Sequence, residues 1–365
     1  MILHPRCIGV IVVLAMASAE QAALAKAVRY RLTPESGYFD GCVSGPCLCP
    51  IRGPIPVAGT FALEPRPPGP LFTEYAVTGV NWYVNLPEGR KHYTGEGTYR
   101  VGGEFAVQQQ LELTLVDELG VARKFDSGPV VGGSKFPAIN LTISATGMVC
   151  VNAAVHVVAE PARSSLYRLG GKSTYQQGCI FGFCDCVAWE PVPMKGTFRL
   201  TLIESNPLFD TYAVDEVCWS AAIAGQTLAI RGHGLYRYGG EVALTQNLEL
   251  FLSVDGSPEW AHHLESGFVP AGARFPAIRV RAATHTNCFD HVVELQARPA
   301  ADIDLSGAAD LADSLCFQAC VTGPAIANLN PDCDAADQDG DGDVDQVDYG
   351  LLQRCLGDDP MDCAE

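Results

Sequence analysis

Tyr30-Arg31-Leu32 recurs as Tyr167-Arg168-Leu169, and the same offset of 137 residues holds without a gap as far as Thr114 and Phe251. About four in ten positions are identical over that stretch. The chain is therefore one unit written twice, and whatever one copy folds into, the other must fold into as well. The second copy gains two residues near 253–259, after which Phe136-Pro137-Ala138-Ile139 reappears as Phe275-Pro276-Ala277-Ile278, and it loses one near 284–287. Pro161-Ala162 closes the first copy and Pro299-Ala300 the second. A unit of about 135 residues is of ordinary domain size. The chain accordingly divides into an N-terminal segment 1–27, two repeats 28–162 and 163–300, and a tail 301–365.

Each repeat reads as all-β. Gly and Pro punctuate it about every ten residues, and no long segment keeps a 3.6-residue apolar period. The clearest strand is 104–115, where Phe105, Val107, Gln109, Leu111, Leu113 and Leu115 alternate with Ala106, Gln108, Gln110, Glu112 and Thr114. Val242, Leu244, Gln246, Leu248, Leu250 and Leu252 form the same face in the second copy. A period of two with one apolar face predicts half-buried antiparallel strands. The expected fold class is mainly β: two tandem antiparallel β-sandwich or barrel domains, each of seven to nine strands, followed by a small α-helical module. Gln109 and Gln246 fall on the apolar face, so they are expected either to fix strand register through hydrogen bonds or to contact a ligand between the sheets. Trp82 and Trp219 correspond and are expected in the core.

The first residues carry Arg6, then an apolar run and small residues, the pattern of a secretory signal peptide, with Ala19, Ala25 and Ala27 as candidate cleavage positions. No other segment is apolar enough to span a bilayer, so no membrane span is expected after cleavage. Of the 15 cysteines, Cys7 lies in the signal. The remaining even, clustered set in an exported chain predicts disulfides. Each repeat holds a cluster, Cys42, Cys47 and Cys49 or Cys179, Cys184 and Cys186, with a later partner, Cys150 or Cys288. One member of each cluster is expected to reach that later partner. A four-thiolate zinc site is the rival, but the spacings of four and one differ from those structural zinc favours. The tail adds Cys316, Cys320, Cys333, Cys355 and Cys363, and Cys218 has no counterpart in the first repeat. Two odd sets suggest that Cys218 pairs with a tail cysteine.

The tail carries sixteen acidic residues and one basic residue, Arg354, so it holds −15 of the chain's net −18. Its residues 337–348 read D-Q-D-G-D-G-D-V-D-Q-V-D. Calcium takes six to eight oxygens, which a loop supplies through carboxylates at alternate positions and a glycine at the sixth for the sharp turn. Asp337, Asp339 and Asp341 fill positions one, three and five, Gly342 is sixth, Asp343 offers its backbone carbonyl at seven, Asp345 is ninth and Asp348 twelfth. A weaker copy lies 35 residues upstream, with Asp302, Asp304, Ser306, Gly307, Asp310 and Asp313 in the same slots. Apolar-periodic runs at 314–320 and 349–356 predict a helix after each loop.

Two half-hands of this kind, over residues 300–363, resemble a type I dockerin, and the cysteines make the module similar to the variant found at the C-terminus of secreted proteins of planctomycete-like bacteria. The resemblance implies calcium as cofactor and a cohesin-like or envelope protein as partner. It implies that loop positions ten and eleven, here Leu311 with Ala312 and Gln346 with Val347, recognise that partner. These are not the Ser-Thr-type pairs of the best-known dockerins.

The absence of a basic patch argues against nucleic-acid binding. Identical charged positions in both copies are few: Arg31 and Arg168, Arg100 and Arg237, Glu104 and Glu241, Glu112 and Glu249. Arg100 and Glu104 bracket Gly102-Gly103 and are expected to pair across that turn. Glu104 and Glu112 on one strand would stand roughly 27 Å apart, too far for a glycosidase pair. No histidine matches between copies, and His262-His263 falls in the length-variable hairpin, expected as a surface loop. With no catalytic constellation in view, the expectation is a secreted, non-catalytic protein whose duplicated domains bind a polysaccharide or surface partner, two copies raising avidity. The alternatives are a structural or adhesive surface protein, and an enzyme of polysaccharide breakdown suggested by the tail alone.

Overall fold

A computed structural model describes residues 27–41, 50–87, 89–132, 135–145, 152–181, 184–258, 262–284, 288–304, 306, 309–330, 333, 335–338 and 342–356. The first repeat contains β1 (Val28–Leu32), β2 (Gly37–Gly41), β3 (Arg52–Pro65), β4 (Phe72–Leu86), β5 (Gly89–Gly102), β6 (Gln108–Asp117), β7 (Ala122–Asp126), β8 (Val130–Val131), β9 (Ile139–Ala145) and β10 (Asn152–Pro161). The pairing path runs β1-β10-β2-β3-β4-β5-β6-β7-β9, and β9 pairs back onto β10. β1 and β2 both lie between β3 and β10, each covering part of their length. The sheet thus closes into an antiparallel barrel, which leaves no long open edge. The second repeat repeats the path with β11 (Ser164–Leu169), β12 (Thr174–Gly178), β13 (Val192–Ser205), β14 (Phe209–Ile223), β15 (Gln226–Gly239), β16 (Thr245–Val254), β17 (His262–Glu265), β18 (Val269–Pro270), β19 (Ile278–Ala283) and β20 (Asp290–Pro299), closed by β20 against β11, β12 and β19. Among the described residues no helix is long and apolar enough to cross a membrane.

Alternation sets the inward face. On β6, Gln109, Leu111, Leu113 and Leu115 are buried while their neighbours are half-exposed. Trp82 and Trp219 are buried, and each meets a phenylalanine edge-on, Phe61 at 6.2 Å and Phe198 at 6.0 Å. The two buried amides fix register: Tyr99 Oη donates to Gln109 Oε1 at 3.1 Å, and Tyr236 Oη to Gln246 Oε1 at 3.1 Å. Gln246 also donates to the carbonyl of Arg279 on β19, past the short β17 that lies between the two strands. Gly97 and Gly234 permit close strand approach, since a Cβ there would stand 1.9 Å and 2.0 Å from the carbonyl oxygens of Glu112 and Glu249.

Several expectations need correction, beginning with strand number, since among the described residues each repeat forms ten strands rather than seven to nine. The strand drawn over 104–115 begins only at Gln108; Phe105 is 94% exposed and Val242 98%. Gly102 and Gly103, both at positive φ, turn the chain there, and the apolar period continues into a hairpin tip. Arg100 bonds Glu112 and Gln110 rather than Glu104, because the β5–β6 register sets Arg100 opposite Gln110 while Glu104 lies beyond the turn. His262-His263 is not in a surface loop but on β17, where His263 bonds Glu249 at 3.1 Å and stacks on Phe251. Cys218 is free, held on β14 opposite Thr197 and Arg231, and does not pair with the tail.

The disulfides in the second repeat are Cys179–Cys186 and Cys184–Cys288. One cluster cysteine therefore reaches the late partner, and all four thiols are used, which leaves none for zinc. Cys42, Cys47, Cys49 and Cys150 lie outside the described residues. In the tail Cys320 pairs with Cys333 and Cys355 is also disulfide-bonded. Cys316, one of the expected disulfide cysteines, is free, because Cys320 one turn later takes Cys333. Cys363 lies outside the described residues.

The barrels pack side by side. Tyr83 and Ala58 of the first meet Ile203, Ala213, Leu235 and Phe251 of the second. At the centre sits Asp215, accepting from Thr60 Oγ1 at 2.9 Å and Asn81 Nδ2 at 2.8 Å across the junction. Asn81 Oδ1 meets His92 Nε2 at 3.0 Å, and the His92, His233 and Phe251 rings cluster together, His92 lying 4.4 Å from His233 and 4.6 Å from Phe251. Arg90 on the first barrel pairs with Glu249 on the second at 2.8 Å.

Candidate metal centre

The tail folds as two loop–helix halves, α1 (Leu311–Cys320) and α2 (Gln346–Cys355), around Ala301, Phe317, Ala336, Val344 and Leu352. Phe317 and Tyr349 bring the helices together at 5.4 Å between rings. Both helices start three residues before the apolar periodicity. Asp310 and Asp345, at loop position nine, are their N-caps, accepting from the amides of Ala312 and Val347 at 2.7 Å. Asp313 and Asp348, at position twelve, complete capping boxes by accepting from the amides of Asp310 and Asp345, each at 2.8 Å.

The position-twelve carboxylates also reach back to the start of each loop. Asp313 Oδ1 accepts from Ile303 N at 2.6 Å and Asp304 N at 3.1 Å; Asp348 Oδ1 accepts from Gln338 N at 2.5 Å. Each loop is thereby folded onto its own end. Gly342 takes φ +99°, as position six requires, and its amide donates to Asp337 Oδ2 at 3.0 Å. Ser306 N donates to Asp304 Oδ1 at 2.9 Å, so the Ser306 backbone also supports its loop.

The result is convergence of carboxylates. Oxygens of Asp302, Asp304 and Asp313 lie within 4.8 Å of one another, as do those of Asp343, Asp345 and Asp348. Asp302, Asp313, Asp343 and Asp348 are buried. Like charges at such separations repel unless a cation sits among them. The donor set is all oxygen and mostly carboxylate, which fits a hard dication of the calcium kind. Asp339 and Asp341 lie outside the described residues. Asp343, assigned a backbone role from its position, also uses its side chain, accepting from Ala325 N and tying the segment after α1 to the second loop. Thr322 completes that tie through both its amide and hydroxyl to the backbone of Val344. Nothing in the loop spacing signals this contact, because it joins residues far apart in sequence.

Leu311, Ala312, Gln346 and Val347 occupy the first turns of the two helices in equivalent places and are all exposed, Leu311 at 75% and Val347 at 57%. Comparison of the chain with protein-family models, with curated proteins and with solved structures finds no match.

Proposed function

We propose that this chain is a secreted, non-catalytic binding protein: a rigid pair of β-barrels that recognises a polysaccharide or a surface partner, carried on a dockerin-like, calcium-dependent tail. The observation that carries the reading is the paired construction of the tail, two loops each gathering three carboxylate groups beside a capped helix. Calcium supplies the charge that offsets carboxylate repulsion, and its binding free energy becomes folding free energy for a module with so small a core. Leu311, Ala312, Gln346 and Val347 then form the face that meets a cohesin-like or envelope protein. The barrels bind through their outer surfaces and their junction, since aromatic and aliphatic side chains fill their interiors.

Isothermal titration of the chelator-treated chain with calcium tests the tail, alongside circular dichroism before and after chelation. Saturable binding with a gain of helix is expected; the same helix signal with and without calcium rejects it. A polysaccharide panel offered to the full chain tests the barrels. A structural or adhesive role is the second reading, favoured by the exposed apolar hairpin tips that recur in both barrels, Phe105 with Val107 and Val242 with Leu244.

A further inference from the structure

We propose that the cleft between the two barrels is a binding site for the oxyanion group, carboxylate or sulfate, of a small acidic ligand. The cleft has a volume of about 340 Å³ and is walled by Arg29, Asn81 and Thr94 of the first barrel and by Asp215, Glu216 and Arg231 of the second. That size suits a single sugar ring or a molecule of similar bulk, and junctions between domains are where such sites form.

Three observations point to an anion. Arg29 is 4% exposed; its Nη2 meets Glu216, but its Nη1 makes no hydrogen bond and stands 3.8 Å from Asp215 Oδ2. This open donor lies beside Gly79 on the cleft wall, 3.4 Å from where a Cβ of that glycine would be. The two carboxylates are already engaged: Asp215 by Thr60 and Asn81, Glu216 by Arg29 and by Arg199 Nε at 2.8 Å. Arg231 gives one N–H to the Ile230 carbonyl at 3.3 Å and is otherwise exposed at the cleft. Two guanidinium groups, Arg29 and Arg231, thus line the cleft with N–H groups not used in a hydrogen bond, and guanidinium groups match planar and tetrahedral oxyanions.

The backbone at the same place is strained. Both barrels carry a β-bulge at the equivalent point, between Val77 and Val80 and between Val214 and Val217. The first has Gly79 at φ +56°; the second has Glu216 at φ +52°. A left-handed glutamate where the repeat has glycine is unfavourable, and bulges re-aim side chains at functional sites. Here the bulge sets the Glu216 carboxylate between Arg29 and Arg199, holding the Arg29 guanidinium at the cleft. The repeat supplies Leu166, Thr78 and Thr94 where this site has Arg29, Asp215 and Arg231, so the cleft occurs once per chain.

The inference deepens the binding reading by naming a ligand class, and its test fails separately. The full-length oxidised chain is titrated calorimetrically at low ionic strength with sodium glucuronate, with sodium sulfate, and with glucose as the uncharged twin of the first. Saturable binding of glucuronate or sulfate at one site, with no heat from glucose, is expected, and which anion binds identifies the oxyanion. Arg231→Gln, which touches no part of the buried network, is expected to weaken binding by about tenfold or more with unchanged thermal stability, and Arg29→Gln to abolish it. No saturable binding of either anion, or binding untouched by Arg231→Gln, overturns the proposal. A neutral polysaccharide retained equally by wild type and Arg231→Gln would leave glycan recognition standing and remove it from this cleft.

Discussion

Truncating Asp215 should uncouple the two barrels. Its carboxylate and the Arg29 guanidinium are 3.8 Å apart with 3% and 4% of their side chains exposed, so solvent screens the pair little. Asp215→Ala removes the acceptor for Thr60 at 2.9 Å and for Asn81 at 2.8 Å and leaves those donors facing a hole. Breaking a buried charge pair from one side costs about 3–5 kcal/mol, mostly the penalty on what remains. Arg29 keeps Glu216, which places the expected loss near the lower figure, about 3 kcal/mol. Asp215→Asn keeps an acceptor for one of the two donors and should cost about half as much. Urea unfolding of the oxidised chain followed by tryptophan fluorescence is the assay, because Trp82 and Trp219 sit at equivalent buried positions in the two barrels. The expected result is an early transition that separates from the late one, since every bond lost crosses the junction. A loss below about 1 kcal/mol in a single unbroken transition would show that the polar network adds nothing to the junction beyond its apolar contacts.

Three further outcomes are expected. Asp337→Ala should weaken calcium binding about tenfold more than Asp302→Ala, because the second loop has the fuller carboxylate set; calorimetric titration of each variant checks this. Stability should fall as pH drops from 6.5 toward about 4: burial, then His262, lowers His291 to about 4, and burial, then His233 and His263, holds His92 well below 6.5. Both take up protons more readily unfolded, whereas His263, raised by its bond to Glu249, contributes stability below 6.5 that is lost as pH rises through its folded value. His291→Gln should flatten the acid limb of a urea-midpoint profile. Replacing Cys184 and Cys288 by serine opens a loop of 104 residues and should cost about 4–5 kcal/mol, against about 2 for the Cys179–Cys186 loop of 7, with midpoints measured under oxidising conditions.

The barrel interiors were legible because both copies need the same inward face. Leu111, Leu113 and Leu115 recur as Leu248, Leu250 and Leu252, and all six are buried. Barrel closure was not legible, since it depends on how β1 and β2 at the start of the repeat pair with β10 at its end. The hairpin tips misled for a related reason: period two marks a face but says nothing about where an opposing strand ends. In the tail, the approach of the acidic side chains within each loop was legible because it is local, whereas the Asp343–Ala325 tie was not, because it joins residues 18 apart, between the segment after α1 and the second loop.

The junction was hidden by the very comparison that revealed the repeat. Identity between copies marks what each barrel needs alone, whereas positions that differ between the copies bind barrel to barrel. Thr98 and Thr114 point outward on the first barrel; their counterparts Leu235 and Phe251 point outward on the second and are buried. On β16 the break in alternation is visible, an outward Phe251 among the inward leucines, and it marks a covered outer face. Asn81 stands where the second copy has Cys218. The first is buried and holds Asp215; the second lies exposed on the corresponding strand with nothing to crosslink. The unmatched cysteine was thus a sign that the outer faces of the two barrels had diverged, and only its supposed disulfide was mistaken.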